Sequence, residues 1–267
     1  MSQQCLEFVT VDVFTRQTFG GNPLAVFFAA ERLSDKQMQQ IAREMNYSET
    51  TFVLPPVDTA NTASVRIFTP MNELPFAGHP NVGTGYVLAN HPSAVPTTGT
   101  VTTSINPETG QGQASMCFEE KAGLVQVLVD MSSDDKAQQA RIAAPQALQQ
   151  RPGHTIEAMA RALNLEPDQI LGAAEGSTIV SVGIEFPVVE VGDLHALQQS
   201  SANVAQFKRL SLNPGITDAN ADADDAFLVY VYCRNGSDEV SARMFDPLRG
   251  IPEDPATGSA AGALAGL

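Results

Sequence analysis

Residues 65–78 read VRIFTPMNELPFAG, and residues 242–258 read ARMFDPLRGIPEDPATG. The Arg, Phe and Pro of the first stretch recur in the second at one constant spacing of 177 residues, and the Glu, Pro and Gly that follow recur after three additional residues. Each copy ends at a Gly and enters a run of small residues that is typical of a buried helix. Repeats of this length are too long for a solenoid. The sequence therefore predicts two similar domains.

Length and composition support this organisation and exclude some functions. The chain has 267 residues, 43% of them hydrophobic, which is ordinary for a globular protein of two small domains or one large one. There are 15 basic and 30 acidic residues, so the net charge is -15. Because such a surface repels phosphate backbones, no nucleic-acid partner is expected.

Compartment and membrane signals point to a soluble cytoplasmic protein. The first residues include no basic leader ahead of an apolar segment, and the longest apolar run, 23–30, is far shorter than the roughly 18 residues of a membrane span. Cys5, Cys117 and Cys233 are odd in number and widely spaced, which predicts reduced thiols rather than disulfides or a zinc site.

Hydrophobic periodicity predicts the secondary structure near the repeated motif. Strands are predicted over 6–14, 24–28, 50–54, 65–68 and 125–131. A helix is predicted over about 35–45, where Ser34 and Gln37 have the spacing of a capping box and Asn46 is a plausible stop. A second amphipathic helix is predicted from Ile156 to Leu163.

The predicted domain boundaries follow from these elements. Residues 1–131 form the predicted N-terminal domain and 153–267 the C-terminal domain. Residues 132–152 are rich in Gln, Ala and charge and are interpreted as the connection between them.

The two repeated loops are candidate anion sites. A helix that begins at Gly78-His79 or at Gly258-Ser259 would leave its first N–H groups without partners at the positive end of the helix dipole, where carboxylates bind. Pro80 suits a first helical position and Ser259 suits an N-cap. One such loop alone more often only begins a helix, but the symmetric pair favours a shared binding cleft.

Three polar residues near these loops are candidates for general acid–base chemistry. Glu49 follows the first predicted helix, His79 lies in the first loop, and Asp254 lies in the second. Each alone could be a solvated turn acid, a structural hydrogen-bonding group or a loop acid, but together they supply two carboxylates and an imidazole. Arg66 and Arg243 precede the loops on predicted strands and are interpreted as structural ion-pair residues.

Four segments resemble the PhzF-like isomerases of phenazine biosynthesis, within the diaminopimelate epimerase superfamily. The segments are GGNPLAVFF (20–28), IAREMNYSETTFVL (41–54), RIFTPMNELPFAGHPNVGTG (66–85) and RMFDPLRGIPEDPATGSAAG (243–262). The resemblance implies an α/β (α+β) fold of two pseudo-symmetric domains, each a curled β-sheet around a central helix, with a cleft between them. It also implies cofactor-free isomerisation by proton transfer, with no metal, commonly in a homodimer.

The resemblance also assigns roles by position. Glu49 is implied to be the proton shuttle, and His79 and Asp254 its supporting catalytic groups. The substrate, a small carboxylic acid, is implied to contact Asn22, Gly78, Gly258 and Ser259.

Two alternatives remain open. The related epimerases use a pair of cysteines as bases, but those positions correspond to Ala77 and Thr257 here. Amino-acid epimerisation by thiols is therefore disfavoured, and the other alternative is a catalytically silent carboxylate-binding or regulatory protein on the same scaffold.

The end of the chain departs from the family pattern. Leu267 falls within the predicted second central helix, whereas family members continue through further strands. The C-terminal domain is therefore expected to be incomplete.

Overall fold

The computed structural model describes residues 5–106, 108–143, 146–172, 176–211, 226–236 and 239–267. Contacts between residues divide the chain into two compact units, Met1–Ala143 and Ala144–Leu267. Each unit has its own β-sheet and its own buried apolar core.

In the first unit, the described residues form nine strands and two α-helices. These are β1 (Phe8–Val13), β2 (Asn22–Phe27), α1 (Asp35–Met45), β3 (Glu49–Leu54), β4 (Ala63–Phe68), β5 (Glu73–Leu74), α2 (Gly78–Asn90), β6 (Thr102–Ile105), β7 (Gly112–Glu120), β8 (Gly123–Met131) and β9 (Ala137–Ile142). The strand order is β1-β2-β3-β4-β7-β8-β9, with β5 beside β4 and β6 beside β7.

The sheet of the first unit curls around α2. This helix contacts β1 and β9, the strands at the two ends of the sheet order, as well as β2, β3 and β8. Two glycines permit this close approach. A Cβ at Gly83 would lie 2.6 Å from the side chain of Leu24, and one at Gly85 would lie 2.5 Å from that of Val127. The helix is therefore the core element that the resemblance implies.

The described residues of the second unit form six strands and four α-helices. These are β10 (Gln149–Pro152), α3 (Ile156–Leu163), β11 (Thr178–Ser181), β12 (Glu185–Glu190), α4 (Leu194–Gln199), α5 (Val204–Ser211), β13 (Val229–Arg234), β14 (Val240–Asp246), β15 (Ile251–Asp254) and α6 (Gly258–Leu264). The strands lie side by side in chain order.

The predicted repeat is confirmed in the strand pairing. From β1 to β5 the successive pairs are antiparallel, parallel, antiparallel and antiparallel, and α2 follows. From β11 to β15 the same series occurs, and α6 follows. Each unit thus carries one copy of a five-strand and one-helix motif.

An Arg–Glu ion pair is repeated with this motif. Arg66 donates to both carboxylate oxygens of Glu73 at 2.8 and 2.7 Å, and Arg243 donates to those of Glu253 at 2.8 and 2.6 Å. Each guanidinium also lies over the Phe two residues along its strand, 5.2 and 4.8 Å from the ring centroid. The interpretation of both arginines as structural is confirmed.

Most predicted elements are confirmed, including α1 with its capping box at Ser34 and Gln37. The residues interpreted as a connection, 132–152, instead contribute β9 to the first sheet and β10 to the second. Residues 144 and 145 of that segment lie outside the described residues.

The starts of the two repeated helices differ from prediction. Ser259 is not an N-cap, because the first helical bond of α6 runs from the N–H of Ala261 to the carbonyl of Thr257, which makes Thr257 the cap. Pro80 is the third residue of α2 rather than the first.

We expect Glu73→Gln to lower the free energy of unfolding by about 1–3 kcal/mol at pH 7, because it removes the carboxylate that pairs with the partly buried Arg66 guanidinium. Burial acts to raise the pKa of Glu73, but hydrogen bonds from Arg66 and Lys121 outweigh it, and the net pKa is lowered. The contribution of a lowered carboxyl pKa is present above its unfolded value and is lost as the pH falls through the folded value. Denaturant unfolding from pH 7 to pH 3 should therefore show the two proteins converging.

Glu44→Gln, at an exposed position on α1, is the control for this variant and should change little. If the free energies of unfolding of wild type and Glu73→Gln differed by the same amount from pH 7 to pH 3, a stabilising ion pair between Glu73 and Arg66 would be contradicted.

Candidate active site

The N-terminus of α2 lies in the interior of the first unit. Ala77 is its N-cap, and the four residues that follow are all buried. The structure shows no side-chain cap at this end among the described residues. Because the first N–H groups of a helix have no partner within it, and the positive end of the dipole lies there, this end favours an anion.

Glu49 reaches the same region from the start of β3. Asn46 adopts a left-handed conformation, with φ of 53°, and ends α1, so the chain turns directly into the strand. In β3, Glu49 lies opposite Leu24 of the parallel strand β2. Its side chain is 13% exposed.

A short polar chain links Glu49 to the neighbouring strand through His79. Glu49 Oε2 lies 3.6 Å from His79 Nε2. On the other side of the ring, Nδ1 lies 3.4 Å from Asn22 Nδ2. Asn22 Oδ1 in turn accepts a hydrogen bond of 3.0 Å from the hydroxyl of Ser48.

This chain sets the tautomer of His79. Because the Ser48 hydroxyl occupies Asn22 Oδ1, the amide group of Asn22 presents its N–H to the ring, and Nδ1 accepts. The ring proton of a neutral His79 then lies on Nε2, directed toward Glu49. In this arrangement a neutral His79 would be a hydrogen-bond donor toward the Glu49 carboxyl group.

The structure brings four of the predicted site residues together in the first unit: Asn22, Glu49, Gly78 and His79. Asn22 is fully buried, and its side chain contacts His79 and Ser48. Sequence analysis did not identify Ser48, although it directly precedes Glu49.

The remaining predicted site residues lie in the second unit. Asp254 ends β15 and accepts a hydrogen bond from the hydroxyl of Thr257. Gly258 and Ser259 are the first two residues of α6. Burial raises the pKa of the Tyr230 hydroxyl, and the nearby charge of Asp254 raises it further.

The two copies of the motif carry different chemistry. Thr50 pairs with Phe68 across β3 and β4, and Val229 pairs with Phe245 at the matching place in β13 and β14. This register makes Leu228 the counterpart of Glu49. Since Ser259 is likewise the counterpart of His79, the carboxylate–imidazole pair is not repeated among the described residues of the second unit.

Neither a metal site nor a membrane span is found in the part of the chain that the structure describes. That part has no group of three or more His, Cys, Asp or Glu side chains arranged to hold a metal ion. None of its helices is both long and apolar enough to cross a membrane.

Comparison with known proteins gives consistent matches over nearly the whole chain. The model of a family described as phenazine biosynthesis-like protein (PhzC-PhzF) matches residues 11–267. An uncharacterized isomerase of Mesorhizobium japonicum is 34% identical over 98% of this chain and 80% of its own length. The trans-2,3-dihydro-3-hydroxyanthranilate isomerase of Pseudomonas chlororaphis is 34% identical over 97% of this chain and 78% of its own length.

Solved structures show the same fold. A PhzF-family phenazine biosynthesis protein of Bacillus anthracis aligns with a TM-score of 0.72 at 24% identity, over 97% of this chain and 79% of that one. A hydroxyproline epimerase of Agrobacterium vitis aligns with a TM-score of 0.60 at 10% identity, over 98% and 75%. The fold is therefore shared with a protein of the PhzF family and with a hydroxyproline epimerase.

We expect Asn22→Asp to reverse the tautomer of His79, because the new carboxylate can only accept and would draw the proton to Nδ1. The Nε2 atom would then face Glu49 as an acceptor. Ring ¹⁵N chemical shifts in two-dimensional NMR report which nitrogen carries the proton.

His154, buried in the second unit, provides an internal control whose ring shifts should not change. A wild-type His79 that is already protonated on Nδ1 would refute the proposed arrangement.

Proposed function

The chain belongs to the phenazine biosynthesis-like (PhzC-PhzF) family and is an isomerase, and we propose that it moves a carbon-bound proton on a small carboxylic acid by general acid–base catalysis. The observation that carries this proposal is the placement of Glu49 3.6 Å from His79 at the N-terminal end of a buried helix. A largely buried carboxylate with one edge exposed is suited to exchange a proton with a substrate carbon.

The proposed substrate is an unsaturated ring acid of the kind named for the Pseudomonas relatives, trans-2,3-dihydro-3-hydroxyanthranilate. Its carboxylate would bind at the start of α2, where Gly78 offers a backbone N–H and no side chain that would obstruct approach. The relatives' identity of 34% over nearly the whole chain supports this substrate class.

In the proposed reaction, the Glu49 carboxylate takes a proton from a saturated ring carbon next to the double bonds. The electron pair of that C–H bond shifts into the conjugated system, and Glu49 then returns a proton to another carbon of that system. No atom is gained or lost and no oxidation state changes overall. The reaction thus requires neither a metal nor a redox cofactor.

His79 and Asn22 support this step in the proposal. The Nε2 proton of His79 would hold the Glu49 carboxylate in position and stabilise the charge that develops as the C–H bond breaks. Asn22 would maintain the tautomer that makes this possible. His79 would therefore act as a neutral donor rather than as the base.

The proposal also assigns substrate-binding roles to residues of the second unit and includes an oligomeric state. Asp254 would orient a polar group of the substrate, and Gly258 and Ser259 would bind it through the second repeated loop. A homodimer in the cytoplasm, as the family resemblance implies, is part of the same proposal.

We expect Glu49→Gln to reduce isomerisation of trans-2,3-dihydro-3-hydroxyanthranilate by about 10²- to 10⁴-fold, because it keeps the shape of the side chain and removes the base. The reaction would be run in D₂O, with product formation followed by absorbance and deuterium content by mass spectrometry. Glu44→Gln is the matched control and should retain wild-type turnover.

Three results would count against the proposal. Turnover of Glu49→Gln within tenfold of wild type would exclude Glu49 as the base. Saturable binding by wild type, without product or exchange, would instead indicate a silent carboxylate-binding protein. Loss of optical rotation from an amino acid would indicate an epimerase.

A further inference from the structure

Glu120 occupies a position where the strand pattern calls for an apolar residue. Alternate residues of β7 face the core, and they are Ala114, Met116, Phe118 and then Glu120. Met116 lies directly opposite Val127 of β8, whose side chain contacts α2 at Gly85. The carboxyl group of Glu120 therefore lies on the face of the sheet that covers α2.

The carboxyl group meets the first turn of this helix. Both oxygens of Glu120 are buried, and the neighbouring side chain that affects the pKa of this carboxyl is Asn81, which is itself fully buried. Among the described residues, neither Glu120 oxygen nor Asn81 Oδ1 has a hydrogen-bond partner, so three buried acceptors lack a donor. Asn81 Nδ2 donates at 2.9 Å to the carbonyl of Ala77, the N-cap. A chain of polar groups thus leads from Glu120 to the residue before Gly78.

The two residues after Glu120 contact the segment 73–77, which leads into α2. Lys121 Nζ lies 2.6 Å from Glu73 Oε2, and the N–H of Ala122 donates at 3.1 Å to the carbonyl of Pro75. Lys121 and Ala122, the two residues of the β7–β8 turn, therefore contact the segment that leads into α2, while Glu120 at the end of β7 meets the first turn of the helix itself. This segment is the first copy of the repeated loop.

We propose that Glu120 is a positioning residue whose protonated carboxyl donates a hydrogen bond to Asn81 Oδ1 and thereby fixes the first turn of α2, with Gly78 and His79, for catalysis. Protonation of Glu120 allows its carboxyl group, the Asn81 amide and the Ala77 carbonyl to be hydrogen-bonded at the same time. Asn81 Nδ2 already donates to Ala77, and a protonated carboxyl supplies the donor that Asn81 Oδ1 needs. The catalytic part of this inference rests on the proposed function.

The surroundings of Glu120 favour the neutral form. Burial raises the pKa of Glu120 to about 8, although the Asn81 side chain beside it acts in the opposite direction. The nearby charges are otherwise engaged, since Lys121 pairs with Glu73 and Glu119 accepts from the other side of the strand. The other titratable group in the first turn of α2 is His79. At neutral pH Glu120 is therefore an acid that can donate.

The first test needs no substrate and compares wild type with Glu120→Gln. A carboxyl whose pKa is raised by folding binds more protons in the folded state, so its contribution to stability declines as the pH rises from its unfolded pKa to its folded pKa. The melting temperature of Glu120→Gln relative to wild type should increase steadily from about pH 5 to pH 8 and then level off. A difference that does not vary with pH would overturn the neutral-acid assignment.

The second test measures positioning by amide hydrogen exchange. Glu120→Leu keeps the bulk of the side chain but removes the hydrogen bond, and exchange in residues 78–82 should accelerate at least tenfold while exchange in β8 changes little. Glu120→Gln can still donate to Asn81 and should remain close to wild type. Equal protection of α2 in all three proteins would overturn the positioning role.

The third test links the residue to turnover of trans-2,3-dihydro-3-hydroxyanthranilate. Wild-type kcat should fall above about pH 8 as Glu120 ionises, whereas Glu120→Gln should retain its kcat beyond that pH. Superimposable pH profiles would overturn the link to catalysis. If wild type did not isomerise this compound, the proposed substrate would be wrong, while the first two tests would still decide the role of Glu120.

Discussion

A helix that is enclosed by a sheet must begin where its first polar groups find partners, and this requirement organises the first unit. The N-terminal turn of α2 lies in an apolar interior, and the side chains that meet it come from β2, β3 and β7. Asn22 and Glu49 meet it at His79, and Glu120 meets it at Asn81. The polar side chains of the first helical turn thus meet partners from three strands, and in the proposed function the same cluster supplies the catalytic groups.

The two units show how a repeated scaffold can carry unequal chemistry. The strand pairing and the Arg–Glu ion pair recur in both copies, because both are needed to close the loop onto the strand before it. The proposed base does not recur, since Glu49 has Leu228 as its counterpart. A duplicated fold requires its structural pairs twice but requires a base only once.

Much of the fold could be predicted from local sequence signals. The capping box of α1, the repeated loop and the structural role of both arginines all depend on residues that are close together in the sequence. The strands β9 and β10 were missed because their residues are largely exposed and rich in Gln, so they lack the alternation that marks a strand. The start of α6 was misplaced by two residues, because cap preference alone does not distinguish Thr257 from Ser259.

The site was predicted less completely, for a physical reason. Asn22 and His79 are 57 residues apart, and no local pattern indicates that their side chains meet. Glu120 could have been identified from the sequence. It is the next residue in the alternating series Ala114, Met116 and Phe118, but it is a carboxylate where the series is apolar. A charged residue in phase with a buried face is thus a sequence feature that points to a buried polar contact.

Gly83 and Gly85 affect how stable α2 is while the first unit is being synthesised. Glycine is a poor helix former, by about 1 kcal/mol relative to alanine, so α2 depends on the strands around it for its stability. Its most extensive neighbour is β9, whose residues follow the end of α2 by nearly fifty positions. On the ribosome, α2 therefore emerges well before β8 and β9, which complete its enclosure. Until residue 142 has left the exit tunnel, this apolar segment depends on chaperones or on transient collapse for protection from aggregation.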